Sequence, residues 1–143
     1  RNTILMIKKH KSVCYCINLR RAANAVTDLY NRVLLPIGLT VSQYSLLINI
    51  GRLKACSVSD LAGYVGLERT TLVRSLKPLF KLKYIEDVSE KGRRSRLLKV
   101  TGAGQQVLNQ GEVLWRTAQA ELEQKVGKEK LEQLSEILAQ LVE

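Results

Sequence analysis

The spacing of apolar residues along the chain predicts a mainly helical protein that contains one pair of strands. Near the start, apolar residues recur at alternating steps of three and four, which places them on one stripe of a helix from about 11 to 35. The stripe consists of Cys16, Leu19, Ala23, Val26, Tyr30 and Val33. Pro36 is expected to end this helix, and Gly38 is expected to help the chain turn.

Two capping patterns mark the starts of the next helices. Thr40 and Gln43 fit a capping box, in which each side chain satisfies a backbone donor of the other residue, so a second helix is expected directly after Thr40. Ser57 and Asp60 form a similar capping pair. The helix that they start is expected to be short, because Gly66 is typical of the position just past a helix end.

The following helix is predicted to have one apolar and one basic face. The buried face is expected to consist of Leu72, Leu76, Leu79 and Phe80. The opposite face carries Thr70, Arg74, Lys77 and Lys81, at steps of four, three and four. Pro78 removes one helical hydrogen bond, so a bend or a weakened end of the helix is expected there.

A hairpin and two more helices complete the pattern. Two strand-like runs, 84–88 and 98–101, flank a polar tip that contains Gly92, and together they predict a β-hairpin. Thr101 is expected to cap a long helix from about 103 to 126. The last helix, from about 129 to 142, carries Leu131, Leu134, Leu138 and Leu141 in heptad spacing. A short helix, a glycine turn and a helix with a basic face match a helix-turn-helix, and the hairpin that follows is expected to form a wing.

Positive charge is concentrated around this hairpin. The chain has 143 residues and a formal net charge of +10, and ten basic but only four acidic residues lie between 68 and 99. Residues 1–36 hold seven basic residues and one acidic residue, whereas 100–143 hold four basic and seven acidic residues. A surface that is charged only for solubility would be mixed throughout, so the pattern favours an anionic partner such as nucleic acid.

The sequence also predicts where the protein works. No apolar run is long enough for a membrane span or a signal-peptide core, so no membrane partner is expected. Three cysteines without an export signal favour a reducing environment, and we expect a cytoplasmic protein.

Patterns for catalysis, metal binding or cofactor binding are weak. The stretch GAGQQV resembles a dinucleotide fingerprint, but Val107 occupies the third glycine position. His10 is the only histidine, so Ser-His or Cys-His catalysis would depend on it alone. Cys14 and Cys16 point to different sides of a helix, so a metal site that combines them with His10 and Cys56 is not expected. We therefore expect no enzyme activity, no metal and no cofactor.

Three stretches carry a resemblance to a known family: LRRAANAVTDLYNRVLLPIGLTVSQYSLL, SVSDLAGYVGLERTTLVRSLKPLFKLKYIE and RRSRLLKVTGAGQQVL. Over nearly its whole length the sequence resembles the MarR family of bacterial transcriptional regulators. The resemblance implies a winged helix-turn-helix homodimer that binds pseudo-palindromic DNA, with the first and last helices at the dimer interface. It also implies a single domain at 1–143, with a DNA-binding lobe at 37–103 and a dimerisation lobe formed by 8–36 and 104–143.

The resemblance places the helix at 68–81 in the major groove of DNA. On this helix, Arg69, Thr70, Thr71 and Arg74 are expected closest to DNA, while Lys77 and Lys81 are expected to meet phosphates. Ser57 and Ser59, at the start of the preceding helix, are expected to contact oxygens of the DNA backbone. In the wing, Arg93, Arg94 and Arg96 are expected at the minor groove and its phosphates, with Arg94 inserted most deeply. Gly92 stands where the family usually has an Asp that helps to hold the shape of the wing.

The resemblance also implies an effector site. A small, mostly apolar cleft is expected between the first two helices and the junction of the wing with the following helix, lined by Tyr30, Tyr44, Leu47 and Trp115 and suited to aromatic or phenolic compounds. The alternative is that these residues belong to the core.

One stretch, VCYCINLRRA, resembles the organic-hydroperoxide repressors of the same family. Cys16 matches their reactive cysteine and Tyr30 matches a tyrosine that hydrogen-bonds its thiolate, while Val41 replaces a second such tyrosine. The alternative is that Cys16 only packs within the stripe.

We therefore expect a transcriptional regulator, most simply a repressor that a small aromatic ligand or an oxidant releases from DNA. The alternative is a protein-interaction module with the MarR fold that no longer binds DNA.

Overall fold

A computed structural model describes residues 11–143, which form six α-helices, one 3-10 turn and three strands. In chain order these are α1 (Tyr15–Val33), the 3-10 turn (Leu35–Ile37), α2 (Val41–Leu53), β1 (Ala55–Ser57), α3 (Val58–Val65), α4 (Arg69–Lys81), β2 (Ile85–Asp87), β3 (Leu97–Val100), α5 (Gly102–Val126) and α6 (Lys128–Leu141). The predicted fold class, mainly helical with a β-hairpin wing after a helix-turn-helix, is confirmed. His10 and the first residues of the predicted dimerisation lobe lie outside the described residues.

The first helix begins at Tyr15, later than the predicted start near residue 11. Cys14 is the N-cap residue of α1, with an extended backbone and no capping hydrogen bond from its side chain. Ser12 organises this end instead, because its Oγ accepts from the Cys14 N–H at 3.1 Å and its carbonyl accepts from the Asn18 side chain at 2.7 Å. At the other end, Pro36 lies inside the 3-10 turn. Gly38 follows with φ +68°, a left-handed conformation that glycine adopts without strain.

The Thr40–Gln43 capping box is confirmed, and the second capping pair is confirmed in its Ser57 half. Thr40 Oγ1 accepts from the Gln43 N–H at 3.2 Å, and the Gln43 side chain accepts from the Thr40 N–H at 3.0 Å. Ser57 Oγ accepts from the Asp60 N–H at 3.0 Å, which starts α3. These bonds satisfy backbone donors that a helix start would otherwise leave unpaired, and so they fix where α2 and α3 begin.

The sheet contains one strand more than the sequence predicts. β3 lies in the middle, antiparallel to β1 on one side and to β2 on the other. Cys56 of β1 lies opposite Leu98, and Ile85 of β2 lies opposite Val100. β1 has only three residues, of which Cys56 alone is buried, so its sequence carries too short an alternation to predict a strand.

The core lies between α2, α3, α4 and the sheet. The fully buried side chains are Leu34, Leu47, Ile50, Leu61, Leu72, Leu76, Leu79 and Leu98. Phe80 is only partly buried, in contrast to its prediction, and α4 continues through Pro78 as one helix as far as Lys81. The terminal helices differ from this core, because α6 buries none of its residues within the single chain.

The start of α5 is fastened to the base of the wing. Thr101 Oγ1 accepts from the Gly104 N–H at 3.0 Å and donates to the Lys83 carbonyl at 2.7 Å. A Cβ on Gly104 would collide with the Tyr84 carbonyl oxygen and the Val100 side chain. α5 therefore lies so close to the hairpin that only glycine fits between them.

Candidate nucleic-acid interface

The polar face of α4 is free of the core. Leu72, Leu76 and Leu79 anchor the helix from below. The face predicted from the sequence, Thr70, Arg74, Lys77 and Lys81, is exposed, and Arg69 and Thr71 beside it are also exposed. An α-helix fits into the major groove of DNA, where its guanidinium and ammonium groups can contact both base edges and phosphates.

The start of α3 offers two hydroxyl groups near the surface. Ser59 is exposed. Ser57 is half-buried, and its Oγ already accepts the capping hydrogen bond from Asp60, which leaves its O–H as a donor. Hydroxyl donors at a helix start are suited to phosphate oxygens.

The tip of the wing, residues 90–94, is an exposed turn. The Arg93 N–H donates to the Glu90 carbonyl at 3.2 Å, and the two side chains form a loose ion pair with 3.9 Å between Nε and Oε2. Gly92 has φ +91°, which other residues rarely adopt. The turn conformation therefore accounts for glycine where the related family usually has Asp. Arg94 is exposed beside it.

Arg96 belongs to the base of the wing rather than to its tip. Its guanidinium carbon lies 5.3 Å from the centre of the Phe80 ring, near the end of α4. A cation over an aromatic face at this distance is attracted to it. This contact holds the wing beside the C-terminal half of α4.

Sequence reasoning missed Asp87 in the wing. Its Oδ1 accepts from the Ser89 N–H at 2.9 Å and from the Leu97 N–H at 3.1 Å. Hydrogen bonds from the side chain and backbone of Ser89 and from the backbone of Leu97 hold the pKa of Asp87 below its usual range, and the charge of Arg96 lowers it further. An acid within a basic hairpin was the available signal.

The residues predicted to line one effector cleft do not all lie together. Tyr44 and Trp115 line a cleft of about 400 Å³ between α2 and α5, together with Ile48, Gly51, Arg52, Gln105, Leu108, Asn109 and Glu112. Leu47 is completely buried in the core and does not line this cleft, so its assignment to the cleft is wrong. Burial, and then Glu112, raises the pKa of the Tyr44 hydroxyl, so it stays protonated as a hydrogen-bond donor.

Tyr30 lies in a separate, apolar groove between α1, the end of α5 and α6. The groove has a volume of about 490 Å³. Its apolar lining includes Leu19, Val26, Leu122, Leu131, Leu134 and Leu138. The Tyr30 hydroxyl donates to Gln119 Oε1, and burial, followed by Glu123, raises its pKa.

The three cysteines have different surroundings. Cys14 and Cys16 are exposed and Cys56 is buried, which raises the pKa of the Cys56 thiol, with a smaller effect from Asp60. Cys14 precedes α1, so the prediction that it shares a helix with Cys16 is wrong. Cys16 and Tyr30 are fourteen positions apart on α1, which is a distance of about 21 Å along the helix. The predicted hydrogen bond between them therefore cannot form within one chain.

Residues 11–143 contain neither a candidate metal site nor a candidate membrane span. No group of three His, Cys, Asp or Glu side chains in this part of the chain is placed to hold a metal ion. None of the helices in the same range is both long and apolar enough to cross a membrane.

Comparison with known proteins agrees with this geometry. A family model described as a winged helix DNA-binding domain matches residues 39–104. No curated protein matches the sequence. Among solved structures, the chain is similar to the transcriptional regulator MosR of M. tuberculosis in complex with DNA, with 32% identity over 90% of this chain and 96% of that chain, and a TM-score of 0.76.

Two more distant structures share the fold. One is a mutant of MarR from E. coli complexed with operator DNA, with 22% identity, coverage of 90% and 97%, and a TM-score of 0.77. The other is BpsR of Bordetella bronchiseptica, from work on the regulation of its DNA binding by 6-hydroxynicotinic acid, with 17% identity, coverage of 94% and 98%, and a TM-score of 0.81. With the similarity to MosR over nearly the whole length, the chain belongs to the MarR family of transcriptional regulators.

Proposed function

We propose that this protein is a homodimeric repressor that binds pseudo-palindromic operators through α4 and the wing. The observation that carries the proposal is the exposed basic face of α4 with a basic wing packed beside it through Arg96 and Phe80. A helix fills the major groove while the adjoining hairpin reaches the neighbouring minor groove.

Each residue would have a distinct role in this complex. Arg69 and Arg74 are suited to guanine edges, since a guanidinium can donate two hydrogen bonds to one base. Thr70 and Thr71 would meet thymine methyl groups or phosphates, and Lys77 would meet phosphate. On the flanks of α4, Ser57 and Ser59 would donate hydrogen bonds to the DNA backbone. Arg93, Arg94 and Arg96 would lie in or beside the minor groove.

Dimerisation would use the apolar groove. Leu134, Leu138 and Leu141 are 41%, 41% and 61% exposed, and they continue the apolar surface that α1 begins. A second copy that packs its own α1 and α6 against this surface would bury these side chains. The resulting twofold axis would set two copies of α4 about one DNA turn apart, about 34 Å. The lobes would then divide as the sequence suggests, with 37–103 on DNA and the terminal segments at the interface.

Release from DNA would follow ligand binding in the cleft between α2 and α5. Tyr44 and Trp115 give it aromatic walls, and Arg52 and Glu112 give it polar groups at the same opening. A small phenolic or aromatic compound fits this combination. An oxidant acting on Cys16 is the second route, and it needs a hydrogen-bond donor other than Tyr30 of the same chain.

We further propose that the protein acts in the cytoplasm, where the DNA lies, and as a regulator rather than an enzyme. Membership of a family of transcriptional regulators supports both statements. The predicted protein-interaction module has no separate observation in its favour.

Binding to the DNA upstream of its own gene tests the proposal. Wild-type protein should bind this duplex more tightly than a shuffled duplex of the same length, and Arg74→Ala should lose most of the preference. Lys125→Ala is the matched control, because it removes one exposed positive charge from α5, far from the wing. Equal, weak binding to both duplexes would favour the protein-interaction module.

The effector site has its own test. Trp115 is the only tryptophan, so its fluorescence reports on the cleft without a label. A panel of phenolic compounds should include at least one that changes this fluorescence and releases DNA. A panel that changes neither would remove the cleft as an effector site.

A further inference from the structure

Asp87 lies where the paired part of the wing ends. It is the last residue of β2 and lies opposite Leu98 of β3. Beyond it, the Val88 N–H donates to the Leu97 carbonyl at 2.8 Å, and the chain then leaves the ladder for the tip. The Asp87 carboxylate accepts from Ser89 on its own side and from Leu97 on the opposite side. We call these three residues the wing neck.

The wing neck holds the two sides of the hairpin together at the point where the arginine-bearing tip begins. Within the tip itself, Arg93 and Glu90 are joined by the 3.2 Å backbone hydrogen bond and by their loose ion pair. Without the carboxylate, the Ser89 and Leu97 N–H groups would have only water as a partner. The tip would then move more freely, and its ordering on DNA would cost binding free energy.

We propose that Asp87 is a positioning residue for DNA binding: its carboxylate closes the wing neck and so fixes the direction in which Arg93 and Arg94 project. The proposal rests on the proposed function of the wing. Asp87 is acidic and lies beside residues expected to meet phosphates, so its charge by itself opposes DNA binding. An acid in this hairpin is understandable if its hydrogen bonds favour DNA binding more than its charge opposes it.

Two substitutions separate these effects because they make the same change in charge. Asp87→Asn keeps an oxygen acceptor at the same place, whereas Asp87→Ala removes it. We expect Asp87→Asn to bind operator DNA at least as tightly as wild type. We expect Asp87→Ala to bind about ten-fold more weakly than Asp87→Asn, because the freed tip must be ordered on DNA.

Two readouts distinguish positioning from general stability. Arg94→Ala should weaken DNA binding much less in the Asp87→Ala background than in the Asp87→Asn background, because a misdirected tip has already lost part of the contact between Arg94 and DNA. The Ser89 and Leu97 amides should exchange with solvent faster in Asp87→Ala and remain slow in Asp87→Asn. Thermal melts of both variants should lie close together, since the Asp87 side chain is exposed and outside the core.

The outcomes are separable. Equal DNA affinity in Asp87→Ala and Asp87→Asn, with wild type bound normally, would overturn the role of Asp87 alone. The role of Asp87 would also be overturned if Arg94→Ala weakened DNA binding as much in the Asp87→Ala background as in the Asp87→Asn background. Wild-type protein that binds no DNA would overturn the proposed function, and the amide exchange would then still decide whether Asp87 closes the neck.

Discussion

Arg94→Ala gives the sharpest test of how the wing meets DNA. Arg94 is exposed at the turn of the hairpin. The substitution therefore removes a cation without disturbing the buried core. If Arg94 lies among phosphates, the loss should change both the affinity and the dependence of affinity on salt.

The size of the salt effect follows from the number of basic side chains on the candidate interface. In the proposed complex, the six in each chain that are predicted to contact DNA are Arg69, Arg74, Lys77, Arg93, Arg94 and Arg96. If all of them met phosphates in a dimer, the slope of log Kobs against log salt would approach about −11. Arg94→Ala would make the slope shallower by about two in a dimer and by about one in a monomer. In the dimer, the affinity ratio between wild type and variant would shrink about ten-fold between about 50 and 200 mM salt.

Fluorescence anisotropy with a labelled operator duplex measures this slope directly. Lys125→Ala, which removes the same charge from α5, should leave the slope unchanged. A parallel slope for wild type and Arg94→Ala, even with weaker binding, would refute contact of Arg94 with phosphates. A change of about one rather than two would refute a symmetric dimer in which both wings touch DNA.

Three further predictions concern other parts of the molecule. Leu138→Glu should convert the dimer into a monomer in sedimentation experiments, because it places a charge in the apolar groove. Gly111→Ala should lower the free energy of unfolding in urea, since its Cβ would collide with the Tyr44 ring, and overpacking of ~1–3 kcal/mol exceeds a helix gain of ~1 kcal/mol. Cys56 should resist alkylation until the protein unfolds. Burial raises the pKa of the Cys56 thiol above its value in the unfolded chain. The protonated thiol therefore makes its full contribution to the free energy of unfolding at neutral pH, and this contribution should be lost as the pH rises past about 8.5.

Matched controls accompany these predictions. Gln140→Glu adds the same charge to an exposed position about 200° further round α6, away from the groove, and should leave the dimer intact. Gly102→Ala lies in open space at the start of α5 and should not destabilise the protein. Cys14 and Cys16 are exposed and should alkylate in the folded state. A stable Leu138→Glu dimer, an unaffected Gly111→Ala or rapid alkylation of native Cys56 would contradict the respective prediction.

Local chemistry made the helix starts and the two faces of α4 predictable. The capping residues Thr40 and Ser57 act on backbone donors three residues away, so their pattern is complete within a few residues of sequence. The faces of α4 follow in the same way from the helical repeat. No such local pattern marks Cys14 as an N-cap, because its side chain makes no capping bond.

Features that depend on distant parts of the chain were not predictable in this way. β1 becomes a strand only because β3, more than forty residues later, provides its partner. Asp87 becomes a hydrogen-bond acceptor for Leu97 only when the hairpin has folded. Leu47 and Tyr44 are both apolar enough for a cleft, and only the packing of α5 on one side of α2 decides that Tyr44 lines it.

The long helix α5 has a mechanical consequence. Its 25 residues span about 37 Å, from the base of the wing to the end of the apolar groove. The close fit at Gly104 fixes the start of α5 against the base of the wing. Because α5 is one continuous helix, it joins the base of the wing to the apolar groove without an intervening loop.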